Sequence, residues 1–195
     1  MKRLEQQIRF LLEIDQLKQV MRQSLLADQS RRENDAEHSW HLAMMALVLA
    51  EYAQEPQLDL PHVIRMLLIH DLVEIYAGDT YAYDEKGYLD KAEREQNAAK
   101  RLFSLLPDDQ AEAFHALWEE FERGETPEAR FANVCDRLQP LLLNYQTQGA
   151  VWQKHGITSD MVMKRMQPIA DNGGELWEYV RGLIQSAVDN SYLAK

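Results

Sequence analysis

The sequence predicts an all-α fold, and three observations carry that prediction. Apolar residues recur at helical spacing in one stretch after another, as in Leu4, Ile8, Leu11, Leu12, Ile14, Leu17 and Val20. Helix start and stop signals punctuate the chain at helix-length intervals. No stretch shows the sustained alternation with β-branched enrichment that marks a strand. The chain has 195 residues, room for one domain with a sizeable core or at most two small ones. There is no internal repeat or low-complexity tract. Residues 1–195 are therefore read as a single domain of seven to nine helices, with C-terminal helices at 158–190 packing on the same body.

The first helix spans residues 3–22, followed by a polar loop from Ala27 to Glu33. Asn34 and Glu37 form a capping-box pattern, with Asp35 as the alternative cap, and a helix runs on to about residue 54. Pro61 suits the first turn of a helix that continues to about Tyr76, stopped by Gly78-Asp79-Thr80. Residues 81–88 form a loop long enough to fold over something. Helices follow at 89–106 and 109–123, ended by Pro107 and Gly124. Thr126-Pro127 starts another, running to about Gln148 with Pro140 as a predicted kink. A short helix to about Ile169 and a last one after Gly173-Gly174 complete the chain.

A formal net charge of −11 suits neither non-specific nucleic-acid binding nor an anionic membrane surface. Met1 is followed by Lys2, Arg3 and Glu5 and then an amphipathic pattern, so no secretory signal is expected. No apolar run approaches the roughly 18 residues of a membrane span. The single cysteine, Cys135, excludes an intramolecular disulfide framework and fits a reducing compartment. A cytoplasmic location is the expectation.

Against this ordinary background the stretch Met66 to Glu74 stands out. It is apolar enough to be buried, yet carries His70, Asp71 and Glu74. Burying ionisable groups without a partner or a metal costs several kcal/mol or more. On an α-helix His70 and Asp71 point about 100° apart, and Glu74 lies one turn on, toward both. Two further groups in apolar helical contexts, His38 and Asp136, make a set of four. Histidine plus carboxylate ligands suit Mn, Co, Fe, Ni or Zn better than Ca or Mg.

The order His38 … His70-Asp71 … Asp136 on a helical chain resembles the HD-domain metal-dependent phosphohydrolases. The segments Glu37-His38-Ser39-Trp40, His70-Asp71-Leu72-Val73-Glu74, Gly78-Asp79-Thr80 and Asp136-Arg137-Leu138-Gln139 resemble the 5′-deoxynucleotidase-like branch, with the motifs falling within 31–140. The resemblance implies an HD-domain helical bundle that hydrolyses a (deoxy)nucleoside 5′-monophosphate with metal-activated water. It implies that His38, His70, Asp71 and Asp136 hold one divalent transition metal. It further implies that Glu74 activates water, Asp79 protonates the leaving oxygen, and Arg22, with Arg31 and Arg32 nearby, binds substrate. Relatives carry a tryptophan soon after that arginine, whereas here Gln23-Ser24-Leu25 follows, which leaves base and sugar preference open. The expected partner is a small phosphorylated molecule rather than a nucleic-acid polymer or a membrane. The relatives are commonly dimers, so a homodimer is an expectation too.

Plainer readings stand beside these. Arg31 and Arg32 suit surface pairing with Glu33 and Asp35, and Asp79 suits a turn. His41, His62, His115 and His155 suit surface or packing positions, and Cys135 an inert buried thiol. Trp40, Trp118, Trp152 and Trp177 are expected in the core, and Lys91, Glu93, Arg94 and Glu95 on a solvated face. The loop with Tyr81, Tyr83 and Tyr88 is either a lid or plain surface. Two alternatives compete with the nucleotidase: an HD enzyme acting on a guanosine alarmone, which carries a second acid where this chain has Ile75, and a non-catalytic nucleotide sensor.

Overall fold

A computed structural model describes residues 2–195. Helix α7 (Pro127–Gln146) organises it, because its sequence is apolar on several sides and its start is well capped. The Thr126 hydroxyl accepts from the Ala129 N–H, and Pro127 takes the first helical position. Around α7 pack α2 (Asp35–Leu49), α3 (Leu60–Ile69), α6 (Asp108–Arg123) and α10 (Gln167–Asn172). Leu42, Met66, Leu67, Val134, Leu138 and Trp152 fill the space between them. Truncating such a leucine to alanine costs about 2–5 kcal/mol.

A second apolar cluster gathers Phe10 of α1 (Lys2–Glu13), Ala99, Leu102 and Phe103 of α5 (Lys91–Phe103), and Trp118 of α6. The segment around His70 lies between the two clusters: Met66 and Leu67 belong to the first, Ile69, Leu72 and Val73 to the second. The short helices α8 (Ala150–His155) and α9 (Ser159–Arg165) and the final α11 (Glu175–Asp189) close the chain, and Thr158 pairs with Ala194 as an isolated bridge. No helix among the described residues is long and apolar enough to cross a membrane.

Several expected helices are divided, and the divisions matter. The first ends at Glu13, becomes a 3₁₀ turn over Ile14–Gln19, and then leaves the helical state altogether. Met21–Leu25 is a strand, β1, paired antiparallel with β2 (Arg32–Asn34), with an irregular register between Met21 and Leu25. The tip between them carries Gln29 at φ 61°. Arg22 is thus a strand residue rather than a helical one, and the fold includes one small hairpin that the hydropathy pattern does not show.

The expected helix to Tyr76 also breaks. Residues His70–Val73 form a 3₁₀ turn between α3 and the single turn α4 (Glu74–Ala77). The helix expected to run to Ile169 splits into α9 and α10, with Pro168 at the start of α10. Pro140 stays within α7, where its carbonyl accepts from the Asn144 side chain at 2.8 Å. Trp40, expected in the core, is 63% exposed, whereas Trp118 and Trp152 are buried.

Candidate metal centre and its cleft

The capping box at Asn34 and Glu37 starts α2 so that His38 enters the interior on its first turn. There the His38 Nε2 lies 3.0 Å from the Asp136 Oδ1, supplied by the middle of α7, and 3.8 Å from the Asp71 Oδ2. The His70 Nε2 lies 3.1 Å from the Asp71 Oδ1 and 3.9 Å from the Asp136 Oδ1. The ligand atoms of His38, His70 and Asp71 can all fall within 4.8 Å of one another. His70 and Asp71 both stand in the 3₁₀ turn, whose Leu72 and Val73 pack in the second apolar cluster.

Hydrogen bonds orient the two imidazoles. The His70 Nδ1 lies 2.8 Å from the Leu67 carbonyl, which can only accept, so Nδ1 carries a proton. Its buried Nε2 is thereby turned to the carboxylates of Asp71 and Asp136. The Gln139 Nε2 donates to the Glu33 Oε1 at 2.6 Å, which turns the Gln139 Oε1 toward the His38 Nδ1 at 3.1 Å as an acceptor. The His38 Nε2 is turned in the same way to the carboxylates of Asp136 and Asp71. Two imidazole nitrogens and two carboxylates converging in a buried space are a donor set suited to a divalent transition metal. Partners on the far ring nitrogen, as here, orient a metal-binding histidine.

The charge around the cluster is dense. Arg22, on β1, donates from Nη1 to the Asp71 Oδ2 at 2.8 Å and the Asp35 Oδ1 at 3.1 Å. Burial opposes its charge, but Asp71, Glu74 and Asp35 hold its pKa above the ordinary arginine value. Burial pushes Glu33 and Asp35 up to about 7. Burial and Asp71 push Glu74 well above the ordinary range, and burial raises Asp79. Burial also holds His38 down at about 4; for His70 burial is outweighed by the Asp71 carboxylate, which holds it up at about 9. Asp71 and Asp136 are held low despite burial, by His70 and Arg22 in the first case and by Arg137 in the second. Cys135 is buried, its thiol pushed up to about 12 by burial.

Of the sequence-derived site residues, His38, His70, Asp71, Asp136, Glu74 and Arg22 meet in one buried cluster, and Asp79 lines the cleft beside it. Arg31 and Arg32 do not join them. Arg31 is exposed and forms a two-point pair with Glu37. Arg32 donates its guanidinium to the backbone carbonyls of Met21, at 2.6 Å, and Arg22. Neither pairs with Glu33 or Asp35, which face Arg22 instead.

Sequence reasoning passed over Glu33, Asp35 and Gln139 as site residues; the only available signal was the acidic run around His38 and the glutamine three residues after Asp136. It also placed Lys91 and Glu95 on a solvated face. They form a 2.6 Å ion pair lining the cavity that holds Glu74. Arg94 straps the loop that precedes α5, bonding Thr80 Oγ1 and the Gly87 carbonyl at 3.0 Å each, and the Ala77 carbonyl at 2.5 Å.

Comparison with known proteins adds to this geometry. A family model described as HD domain matches residues 14–177. The 5′-deoxynucleotidase HDDC2 of Mus musculus is 32% identical over 136 residues, covering 69% of this chain and 66% of that protein. Its Homo sapiens counterpart is 31% identical over 136 residues, covering 69% and 65%. The match thus spans just under two thirds of the length of these curated relatives. A Magnetospirillum magnetotacticum MS-1 protein described as a predicted metal-dependent phosphohydrolase superposes with TM-score 0.95 at 54% identity, covering 100% of this chain and 97% of that one. PH0347 of Pyrococcus horikoshii OT3 matches with TM-score 0.65 at 23% identity, covering 94% and 99%, a likeness of fold alone.

Proposed function

This chain belongs to the HD-domain family, and from that premise we propose that it is a metal-dependent phosphomonoesterase acting on (deoxy)nucleoside 5′-monophosphates. One observation carries the reading: the Nε2 atoms of two oriented imidazoles converge on the carboxylates of Asp71 and Asp136 beside a cleft. The names of the curated relatives support the nucleotide class. His38, His70, Asp71 and Asp136 would hold the ion, a divalent transition metal of the Mn, Co, Fe, Ni or Zn type. When bound, such an ion polarises a phosphoryl oxygen and lowers the pKa of water.

The chain's own residues supply the rest. Glu74 stands beside the cluster without being one of the four ligands. In the proposed reaction it takes a proton from the attacking water as the water oxygen bonds to phosphorus. The bond from phosphorus to the ester oxygen breaks, and Asp79, at the cleft wall, gives that oxygen a proton. Phosphate and an alcohol leave. Arg22 has Nη1 engaged by Asp71 and Asp35, so the rest of its fork is what it offers to a phosphate oxygen. Arg137, paired with Asp136, adds a second guanidinium to the same cavity. Arg32 holds the β1 backbone that carries Arg22.

A single assay tests this: phosphate release from a panel of nucleoside monophosphates with added Mn²⁺ or Co²⁺, with and without chelator. Release that disappears on chelation is expected. No release across the panel, together with tight nucleotide binding, would replace the enzyme with a nucleotide sensor.

A further inference from the structure

The cleft continues beyond the metal end along one face of α7. Asp136, Pro140, Leu141 and Asn144 all line the cavity that contains Arg22 and Asp79. At about 1.5 Å of rise per residue, Asn144 stands ~12 Å past Asp136 along the helix. That is the reach from phosphorus to the far edge of the base in an extended nucleoside 5′-monophosphate. The cavity opens to solvent, and its enclosed part is small, about 80 Å³.

Charged groups crowd the Asp136 end. The lining also includes the uncharged Pro140, Leu141 and Asn144 and two aromatic side chains, Tyr83 and the buried Trp152, with the Arg165 guanidinium near Tyr83. Two buried polar atoms of its lining residues have no hydrogen-bond partner among the described residues, the Asn144 Oδ1 and the Tyr81 hydroxyl. The Asn144 amide cannot be turned to relieve this. Its Nδ2 donates at 2.8 Å to the Pro140 carbonyl, which only accepts, so Oδ1 is fixed as the free acceptor. A buried acceptor without a donor is costly, and such groups in native proteins call for an explanation.

We infer that this end of the cavity is a nucleobase subsite, in which the Asn144 Oδ1 accepts an N–H from the hydrogen-bonding edge of the base while Tyr83 and Trp152 wall its faces. The inference rests on the phosphomonoesterase reading and sharpens it. Every common base carries an N–H on that edge, so Asn144 selects nucleotides over phosphorylated sugars that lack a base. The tryptophan that the family resemblance led one to expect after Arg22 is then replaced by an aromatic wall from other elements, Tyr83 of the 81–88 loop and Trp152 of α8.

Calorimetric titration of the full-length, metal-loaded protein with 2′-deoxyadenosine and, separately, inorganic phosphate tests the subsite. Neither probe is consumed. Asn144→Leu is expected to weaken deoxyadenosine roughly three- to tenfold, the scale of one hydrogen bond, and to leave phosphate binding unchanged. Tyr83→Ala, a change in a loop that leaves α7 intact, is expected to do the same. Failure of deoxyadenosine to bind the wild type, wild-type affinity in both variants, or parallel loss of both probes in both variants overturns the subsite. Hydrolysis separates the two ideas. Equal turnover of deoxyadenosine monophosphate and 2-deoxyribose 5-phosphate keeps the phosphomonoesterase and removes the subsite. Base-dependent binding with turnover of neither keeps the subsite and removes the enzyme.

Discussion

The metal end of the cleft is built from helix starts, a 3₁₀ turn and the centre of α7, whereas the segments that border it are a five-residue strand, its short partner and a loop. In the first region the side chains are fixed by hydrogen-bonding partners. His38 is tied to Gln139 and Gln139 to Glu33 across the fold, and His70 to the Leu67 carbonyl three residues back. In the second region side chains hold the backbone instead. Arg32 grips β1 through two carbonyls, and Arg94 grips the loop through three contacts. The difference separates two jobs. Donor atoms around an ion tolerate little displacement, while a wall that admits and releases a substrate can be tethered at a few points.

If that division is right, the largest effects come from the proposed ligands. Asp136→Ala and His70→Ala should each leave the protein with little bound metal by elemental analysis and no measurable phosphatase activity. Full metal content in either variant would contradict the ligand set. Glu74→Gln comes next. It should keep its metal and lose activity by about 10²–10⁴-fold, the usual contribution of one general acid or base. A parallel loss of metal would instead make Glu74 a ligand. Gln139→Leu should be milder, weakening metal affinity by about 10–100-fold, as is typical when an outer partner of a metal-binding histidine is removed. Activity in that variant should recover at high metal concentration, whereas that of Glu74→Gln should not.

The same division explains what the sequence shows and what it hides. His38, His70, Asp71 and Asp136 stand out because each interrupts an apolar, helix-patterned segment, and burial of a charged group there has few explanations. The 3₁₀ turn at His70–Val73 is hidden because repeats of 3.0 and 3.6 residues cannot be told apart over four residues. The β1–β2 hairpin is hidden for a related reason. Only Ser24 of Met21–Leu25 is buried, and the register slips, so no period of two appears. Glu33 and Gln139 lie 106 positions apart, and only the fold brings them together. Trp40 misleads because α2 is apolar around most of its circumference, and the pattern does not say which side faces solvent.

The smallest expected effects test the wall, using two adjacent arginines with unlike surroundings. Arg31 is exposed and pairs only with Glu37 and the Arg32 carbonyl. Exposed pairs of this kind contribute little, so Arg31→Ala should leave KM and kcat within about twofold of wild type. Arg32→Ala removes the two contacts to the carbonyls on either side of the Arg22 α-carbon, and with them the placement of the Arg22 guanidinium. Its KM for a nucleoside monophosphate should rise several-fold, with kcat and metal content nearly unchanged, because Asp71 still holds Arg22 from the metal side. Equal behaviour of the two variants would mean that the hairpin needs no tether, and that Arg22 is placed by Asp71 and Asp35 alone.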